Sequence, residues 1–432
     1  MIEGQTFWRL AFPLAAQQVG FQLMGTVDAA LLGHYSDTSL AASGVGNNLL
    51  FAISSMGLGV VLGLDTVIPQ AIGGGRLADA RRYLAGGLRL AVLVGIACSL
   101  VVFASPLVLG LADVPADVAA EARTYVYLRA LGIVPFLLSV ALRSYLAARD
   151  VTRPLLVAVI VGNIANAVLD LALIFGIEAI GLPPLGVFGA GLATLTVQLV
   201  IVVVYFASVR ALDDHAPRPR PTRADIATIA RYGGPIGGQL FAEVGIFGVA
   251  TVLAAHLGTR SAAAHAIALN LSSFTFAVAV GLGSATSVRV GHAVGTGDLP
   301  LARQRGLQGI AIGFGAMAMF ALAFLVLPQP IAHLFTDDPA VIGAIVPLLQ
   351  IVALFQLSDG AQAIGAGALR GLGDTRSTLV ANLVGHYGVG LPISLVLTFT
   401  IGMGAPGLWW GLSAGLTVTA GYVVVRFLFV TR

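Results

Sequence analysis

The sequence contains no lysine: all 23 of its basic residues are arginines. A Walker-type phosphate loop is thereby excluded, since its lysine holds the phosphates. There is a single cysteine, Cys98, inside an apolar run, which excludes an intramolecular disulfide and any multi-cysteine metal site. Charge of either sign is scarce. Only 10% of the 432 residues are charged, against about 25% in soluble domains, too few to cover a water-facing surface. Aqueous enzymes, nucleic-acid modules and disordered tails are excluded on that ground. In their place stand 57% hydrophobic residues, 54 glycines and a mean hydropathy of +0.94. Such a composition suits the bilayer as solvent, and the glycines suit helices that pack closely through small residues.

Apolar runs broken by polar or Gly/Pro clusters predict spans at 9–33, 44–72, 84–112, 123–148, 154–178 and 185–210. They resume at 229–256, 265–294, 304–334, 342–371, 377–402 and 405–430. Each reaches the roughly 20 residues a membrane crossing needs. The expectation is an all-α integral membrane protein with twelve transmembrane helices in two six-helix lobes, residues 1–210 and 226–432. Between them runs a linker, 211–225, in which Pro217, Pro219 and Pro221 prevent a continuous helix. No sizeable aqueous domain fits in what remains. The first apolar stretch runs past residue 30 without a convincing cleavage site, so no cleavable signal peptide is expected.

The arginines are distributed unevenly. Arg76, Arg81 and Arg82 follow span 2, and Arg143, Arg149 and Arg153 flank the turn after span 4. Arg218, Arg220 and Arg223 sit in the linker, Arg303 and Arg305 after span 8, and Arg370 and Arg376 after span 10. All fall on one side. The opposite loops, His34–Ser39, Asp113–Glu121, Gly181–Pro184 and Asp337–Asp338, have only Arg123, Arg129 and Arg260 nearby. The positive-inside rule then places both termini in the cytoplasm.

The chain also repeats itself. At an offset of 222, residues 9–81 lie on 231–303 without a gap, and 18 of 73 positions are identical; this biased composition would give roughly six by chance. Arg9 meets Arg231, Pro13 meets Pro235, Gln17 meets Gln239, His34 meets His256 and Gly73 meets Gly295. At an offset of 223, Thr152-Arg153 meets Thr375-Arg376. Six spans per repeat is an even number, so the repeats are parallel, and a substrate site is expected where they meet.

Five carboxylates fall inside predicted spans: Asp28, Asp65, Asp170, Glu243 and Asp359. Each costs about 2.5–3.5 kcal/mol at a helix centre, so such residues point to function. Glu243 and Asp359 lie about 18 Å from the arginine-rich ends of their spans, near the midplane. Asp28 and Asp170 lie nearer the opposite face. Asp65, beside Pro69-Gln70 and close to the arginine-rich side, suits a structural role better. Asn163, Asn166 and Asp170 form one polar stripe on span 5; Gln356, Asp359 and Gln362 form another on span 10, with Phe355 alongside. Gln239 lies one turn before Glu243 and Phe247 one turn after it. A carboxylate set among amides and aromatics in an apolar wall suits a proton, a sodium ion or an organic cation. Hydrogen-bonded packing between helices is the competing reading for any single acid and a weaker one for four. The acids are not copies: under the repeat Asp28 meets Ala250, Glu243 meets Phe21, Asp359 meets Phe136 and Asp170 meets Ile393. The histidines carry less. His34 and His256 sit at matched helix ends, and for His386, inside span 11, packing outweighs a ligand role.

Arg231-Tyr-Gly-Gly-Pro-Ile-Gly-Gly-Gln-Leu-Phe-Ala-Glu243 resembles span 7 of the multidrug and toxic compound extrusion (MATE) transporters of NorM type. Ala268-Leu-Asn-Leu-Ser-Ser and Val288-Arg-Val-Gly-His292 continue the resemblance. Phe355-Gln-Leu-Ser-Asp359, with Gly367-Ala-Leu-Arg-Gly-Leu-Gly-Asp-Thr-Arg376, is similar to the family's span 10, and Val27-Asp28 with Gly33 to its span 1. The resemblance covers essentially the whole chain. It implies a monomeric antiporter of the bacterial inner membrane that exports hydrophobic organic cations in exchange for Na+ or H+ by alternating access, with no other cofactor. By position, Glu243 and Asp359 match the cation-site acids, where Na+ would bind, and Asp28 matches the acid associated with protonation. Asn166 with Asp170 resembles instead the span 5 pattern of DinF-type relatives, so both lobes carry acids for a coupling ion. Asn163, Asn166, Gln239, Phe355, Gln356 and Gln362 are the supporting residues.

The alternatives are a flippase for lipid-linked oligosaccharide on a related scaffold and an intramembrane hydrolase. The first favours a cationic cavity, whereas the predicted midplane is acidic and lacks arginine. The second wants its acids together, whereas the repeat separates them. Small organic cations and the lipid bilayer are thus the expected partners, and nucleic acid is not. Topology is directly testable: in a Cys98-free variant, cysteines placed at Pro219 and Asp337 should label from opposite sides of the membrane, and an impermeant reagent that labels both from outside contradicts it.

Overall fold

The computed structural model describes residues 3–109, 115–212 and 220–432. Residues 110–114, which include Asp113, and linker residues 213–219, which include Pro217, Arg218 and Pro219, lie outside the described residues. The described chain is almost wholly helical, and among the described residues the sole β pairing is the isolated bridge Ile177–Leu182.

Among the described residues eleven helices are long and apolar enough to cross a membrane. They are α2 (Asp37–Gly73), α3 (Leu77–Ala104), α4 (Ala116–Ala148), α5 (Arg153–Phe175), α6 (Gly186–Leu212), α7 (Arg223–His256), α8 (Thr259–Gly295), α9 (Leu299–Val326), α10 (Pro339–Leu372), α11 (Thr375–Thr400) and α12 (Ala405–Val430). Before them comes α1 (Glu3–Tyr35), which is 33 residues long but diluted by Gln17, Gln18, Gln22 and Asp28. Ten of the twelve spans read from the apolar runs coincide with these helices to within one turn at their C-terminal ends. The other two, 84–112 and 304–334, overrun α3 and α9, which stop at Ala104 and Val326, each followed by a separate short helix, Pro106–Leu109 and Pro328–His333. Several helices extend a turn or more beyond the runs, because charged ends such as Arg76–Arg82 and Arg223–Asp225 continue the helix past the hydrocarbon.

Local chemistry fixes where the helices stop. Gly75 and Gly297, 222 residues apart, both adopt positive φ just past α2 and α8, a left-handed stop that glycine takes without strain. Asp150 after α4 has a φ of 57°, and Gly373 after α10, offset by 223, a φ of 89°. Asp374 caps α11: its carboxylate accepts from the Ser377 amide at 3.3 Å and from Arg426 Nε at 2.8 Å. Burial works against that charge, yet the Ser377 and Arg426 contacts outweigh it and hold the carboxyl below its usual range.

Two compact units emerge. One comprises α1 up to Ala15, Pro69–Gly75 and Gly238–Arg432; the other comprises Ala16–Ile68 and Arg76–Gly237. In the second unit α2 and α7 meet backbone to backbone, since a side chain on Gly59 would strike Gly237 and one on Gly233 would strike Val60. In the first unit α8 and α1 meet in the same way, through Gly281 and Ala15. Residues 59 and 281, and 15 and 237, are both 222 apart, so one contact is the repeat image of the other. Gly73 packs on the His292 carbonyl and Gly295 on the Gln70 carbonyl, another reciprocal pair. Helices with no side chain between them gain dispersion contacts that lipid cannot supply, which is why small residues mark such crossings.

Asp65 belongs to this framework. Its Oδ2 lies 3.4 Å from Arg143 Nη2, and both side chains are buried. A buried ion pair gains little net stability, but removing one partner strands the other charge. Asp65→Asn should therefore destabilise the protein by about 3–5 kcal/mol, read as a lowered unfolding temperature in detergent; an unchanged Tm would contradict the structural role.

Candidate functional site

Carboxylates gather in each unit separately. In the second unit the acids are Asp28 on α1 and Asp170 on α5, both buried. Thr194 on α6 donates to Asp28 Oδ2 at 2.9 Å, and the Asp170 carboxyl is in contact with that of Asp28. Among the described residues no donor reaches Asp28 Oδ1 or either oxygen of Asp170. Asn166, one turn before Asp170, is fully buried with its amide nitrogen and oxygen both unpartnered. Asn163 is less committed: its amide donates to the Val159 carbonyl of its own helix at 2.8 Å, and it lies beside Gly20 of α1. Gly20 lets α1 approach α5 at this level, which brings the polar stripe of α5 against the helix that carries Asp28. Tyr125 on α4 closes the cluster, donating to Asn47 Oδ1 at 3.2 Å.

In the first unit Glu243 on α7 is the centre. Asn382 Nδ2 on α11 lies 3.4 Å from Glu243 Oε2, and the amides of Gln239 and Gln362 turn to the same carboxylate. Asp359 on α10 is buried close enough for its charge to repel that of Glu243. The three amides leave carbonyl oxygens over: Gln362 Oε1 and Asn382 Oδ1 are buried without a donor. Gln356 is fully buried, but neither end of its amide has a partner, so it stands in the wall without joining the hydrogen bonds to Glu243. Phe355 is also buried, in a row of rings. It meets Trp409 edge-on at 5.5 Å and Phe247 at 6.1 Å, and the row continues to His265 beyond Trp409 and to His386 beyond Phe247.

Of the polar residues read from the sequence, the structure brings Asp170 to Asp28, and Gln239 and Gln362 with Asp359 to Glu243, while Asn163 and Gln356 make no hydrogen bond to an acid. Asn382, Thr194 and Trp409 are additions that sequence reasoning missed. Each lies on a different helix from the acids, and spacing along one helix does not show which residues of another it meets. His386, both of whose nitrogens are buried and unpartnered, sits one turn beyond Asn382. Among the described residues no group of three or more His, Cys, Asp or Glu is arranged to hold a metal ion.

Both clusters share a chemical imbalance. Carboxylate and amide oxygens, all acceptors, outnumber the donors that reach them, and burial denies them water. Oxygen-rich, donor-poor pockets of this kind accommodate a proton or a hard cation.

A family model described as MatE matches the chain twice, over residues 13–172 and 235–396. The two matches begin 222 residues apart, the offset of the internal repeat. The probable multidrug resistance protein NorM of Pseudomonas putida is 36% identical over 426 residues, covering 95% of this chain and 91% of that one. The multidrug resistance protein MdtK of Pectobacterium atrosepticum is 32% identical over 444 residues, covering 100% and 96%. Among solved structures, the eukaryotic MATE transporter AtDTX14 superposes with a TM-score of 0.91 at 21% identity, covering 99% of this chain and 95% of that one. A MOP superfamily transporter from Pyrococcus furiosus gives 0.88 at 18%, with the same coverage. At these identities the structural likeness establishes the fold, and the sequence matches establish the family. The chain is a multi-pass membrane protein and belongs to the MATE family, a family of transporters and not of enzymes.

Proposed function

We propose that the protein exports hydrophobic organic cations, drugs among them, in exchange for Na+ or H+ by alternating access. The observation that carries this reading is the surplus of buried, donor-free oxygens around Asp28/Asp170 and around Glu243/Asp359. Two carboxyls in contact in a dry interior need a proton or a cation between them. The Asp28–Asp170 pair suits a shared proton. Glu243, Asp359, Gln362 Oε1 and Asn382 Oδ1 together suit Na+, a hard cation that takes oxygen ligands, and the same acids attract an organic cation. Relatives named for multidrug resistance support the substrate class. Each chain has its own set of acids, so a monomer suffices. The arginine-rich loops favour cytoplasmic termini in a bacterial inner membrane.

Competition supplies the mechanism. A drug cation and a coupling ion cannot both neutralise the same carboxylates, so ion entry from outside weakens the hold on the drug and promotes its release there. A lipid-linked oligosaccharide would present phosphate to these acids, which disfavours the flippase reading.

Neutralisation tests this. Glu243→Gln and Asp359→Asn should reduce gradient-driven efflux of a cationic dye from energised cells at least tenfold while leaving expression and membrane insertion intact. Asp28→Asn should do the same. Wild-type efflux by the Glu243 and Asp359 variants at normal expression would defeat the carboxylate mechanism, and protection of cells against anionic detergents but never cationic dyes would defeat the substrate class.

A further inference from the structure

Arg89 occupies a place that the fold does not require and the transport chemistry does not use. It lies on α3, a helix of 28 residues, or about 42 Å at 1.5 Å per residue, longer than the ~30 Å hydrocarbon core. The charged residues Arg76, Asp79, Arg81 and Arg82 gather at the first turns of that helix, so this end carries the overhang. Arg89 follows two turns later, about 10 Å further along the axis, where α3 is otherwise apolar. Its side chain is exposed, and it makes no hydrogen bond or ion pair with any described residue.

Beside Arg89 runs a groove of about 560 Å³ in the second unit. Its walls are Val92 and Leu93 of α3 and Val202 and Phe206 of α6, and its floor is Leu138 and Leu142 of α4. Leu93 and Phe206 are more than a third exposed, so the groove opens outward and not into the bundle. On α4 and α6 the groove lies within eleven residues of the arginine-bearing ends, Arg149 and Arg210. In a helix every Cα–Cβ bond tilts toward the N-terminus, so the Arg89 side chain extends toward the same end, where the headgroups lie.

We propose that this groove holds an anionic phospholipid, with one acyl chain along Val92, Leu138 and Phe206 and the phosphate on the Arg89 guanidinium. A guanidinium offers a fork of donors that matches phosphate oxygens two at a time. The apolar walls select a chain, and the cation selects a headgroup with net negative charge over a zwitterion. With the arginine-rich face in the cytoplasm, the lipid comes from the inner leaflet, whose negative surface potential already favours this side.

The test uses the full-length protein in detergent, incubated with equal amounts of phosphatidylglycerol and phosphatidylcholine of matched chains, with bound lipids counted by native mass spectrometry. Wild type should retain phosphatidylglycerol preferentially. Arg89→Gln should cut that retention about fivefold, the weight of one basic side chain at an anionic surface, without changing phosphatidylcholine; Arg89→Lys should keep most of it. Val202→Trp, or Leu93→Trp on the opposite wall if the first fails to fold, should fill the groove and expel the lipid with Arg89 intact. Equal phosphatidylglycerol retention by wild type and Arg89→Gln would overturn the proposal. So would retention that survives both groove-filling variants, or displacement of the lipid by millimolar inorganic phosphate, which would mean that the chain contributes nothing.

Discussion

A carboxylate surrounded by hydrocarbon has no water to fall back on, and its stability depends on what the protein places around it. Asp65 is answered by Arg143 and becomes part of the scaffold. Asp28 receives a hydroxyl, Glu243 receives amides and Asp170 no donor at all, and none of Asp28, Asp170, Glu243 and Asp359 has a positive side chain within hydrogen-bonding distance among the described residues. The difference between one guanidinium and none separates a structural acid from the four proposed to exchange ions. A fully paired charge is inert; an under-paired one stays open to a proton, a metal ion or a drug cation.

The duplicated frame explains how the fold tolerates such acids. Backbone-to-backbone contacts recur at the repeat offset, Gly59 with Gly237 and Gly281 with Ala15, as do the left-handed stops at Gly75 and Gly297. These hold the helices through small residues and carry no polar group. The polar residues are free to diverge, and they do: Phe21 stands where the other repeat has Glu243, and Ala250 where the first has Asp28. Packing is conserved between the halves because it depends on the close approach of helices. Ion chemistry differs because it depends on single side chains.

Much of this was legible in the sequence for physical reasons. Twelve spans follow from apolar runs because every backbone polar group in lipid must be bonded within its own helix. The polar stripes on α5 and α10 follow from helical spacing. Asp65 read as structural, but its partner did not, since Arg143 is 78 residues away and nothing local couples them. Asn382 and Thr194 were invisible for the same reason, and the row from His265 through Trp409, Phe355 and Phe247 to His386 draws one ring from each of five helices. Sequence periodicity describes the face of one helix; it does not describe which faces meet.

The proposed exchange assigns ion-binding acids to both units, and with both occupied it would exchange two ions for each drug molecule. Exchanging two monovalent ions for one monovalent cation moves one net charge, worth about 2.3 kcal/mol per 100 mV. The most direct measurement is drug flux in proteoliposomes with equal Na+ and equal pH on both faces and a potassium diffusion potential as the only driving force. Flux should run against the imposed movement of positive charge and reverse when the potential is reversed. Flux indifferent to the potential would contradict two ion sites acting in one transport cycle.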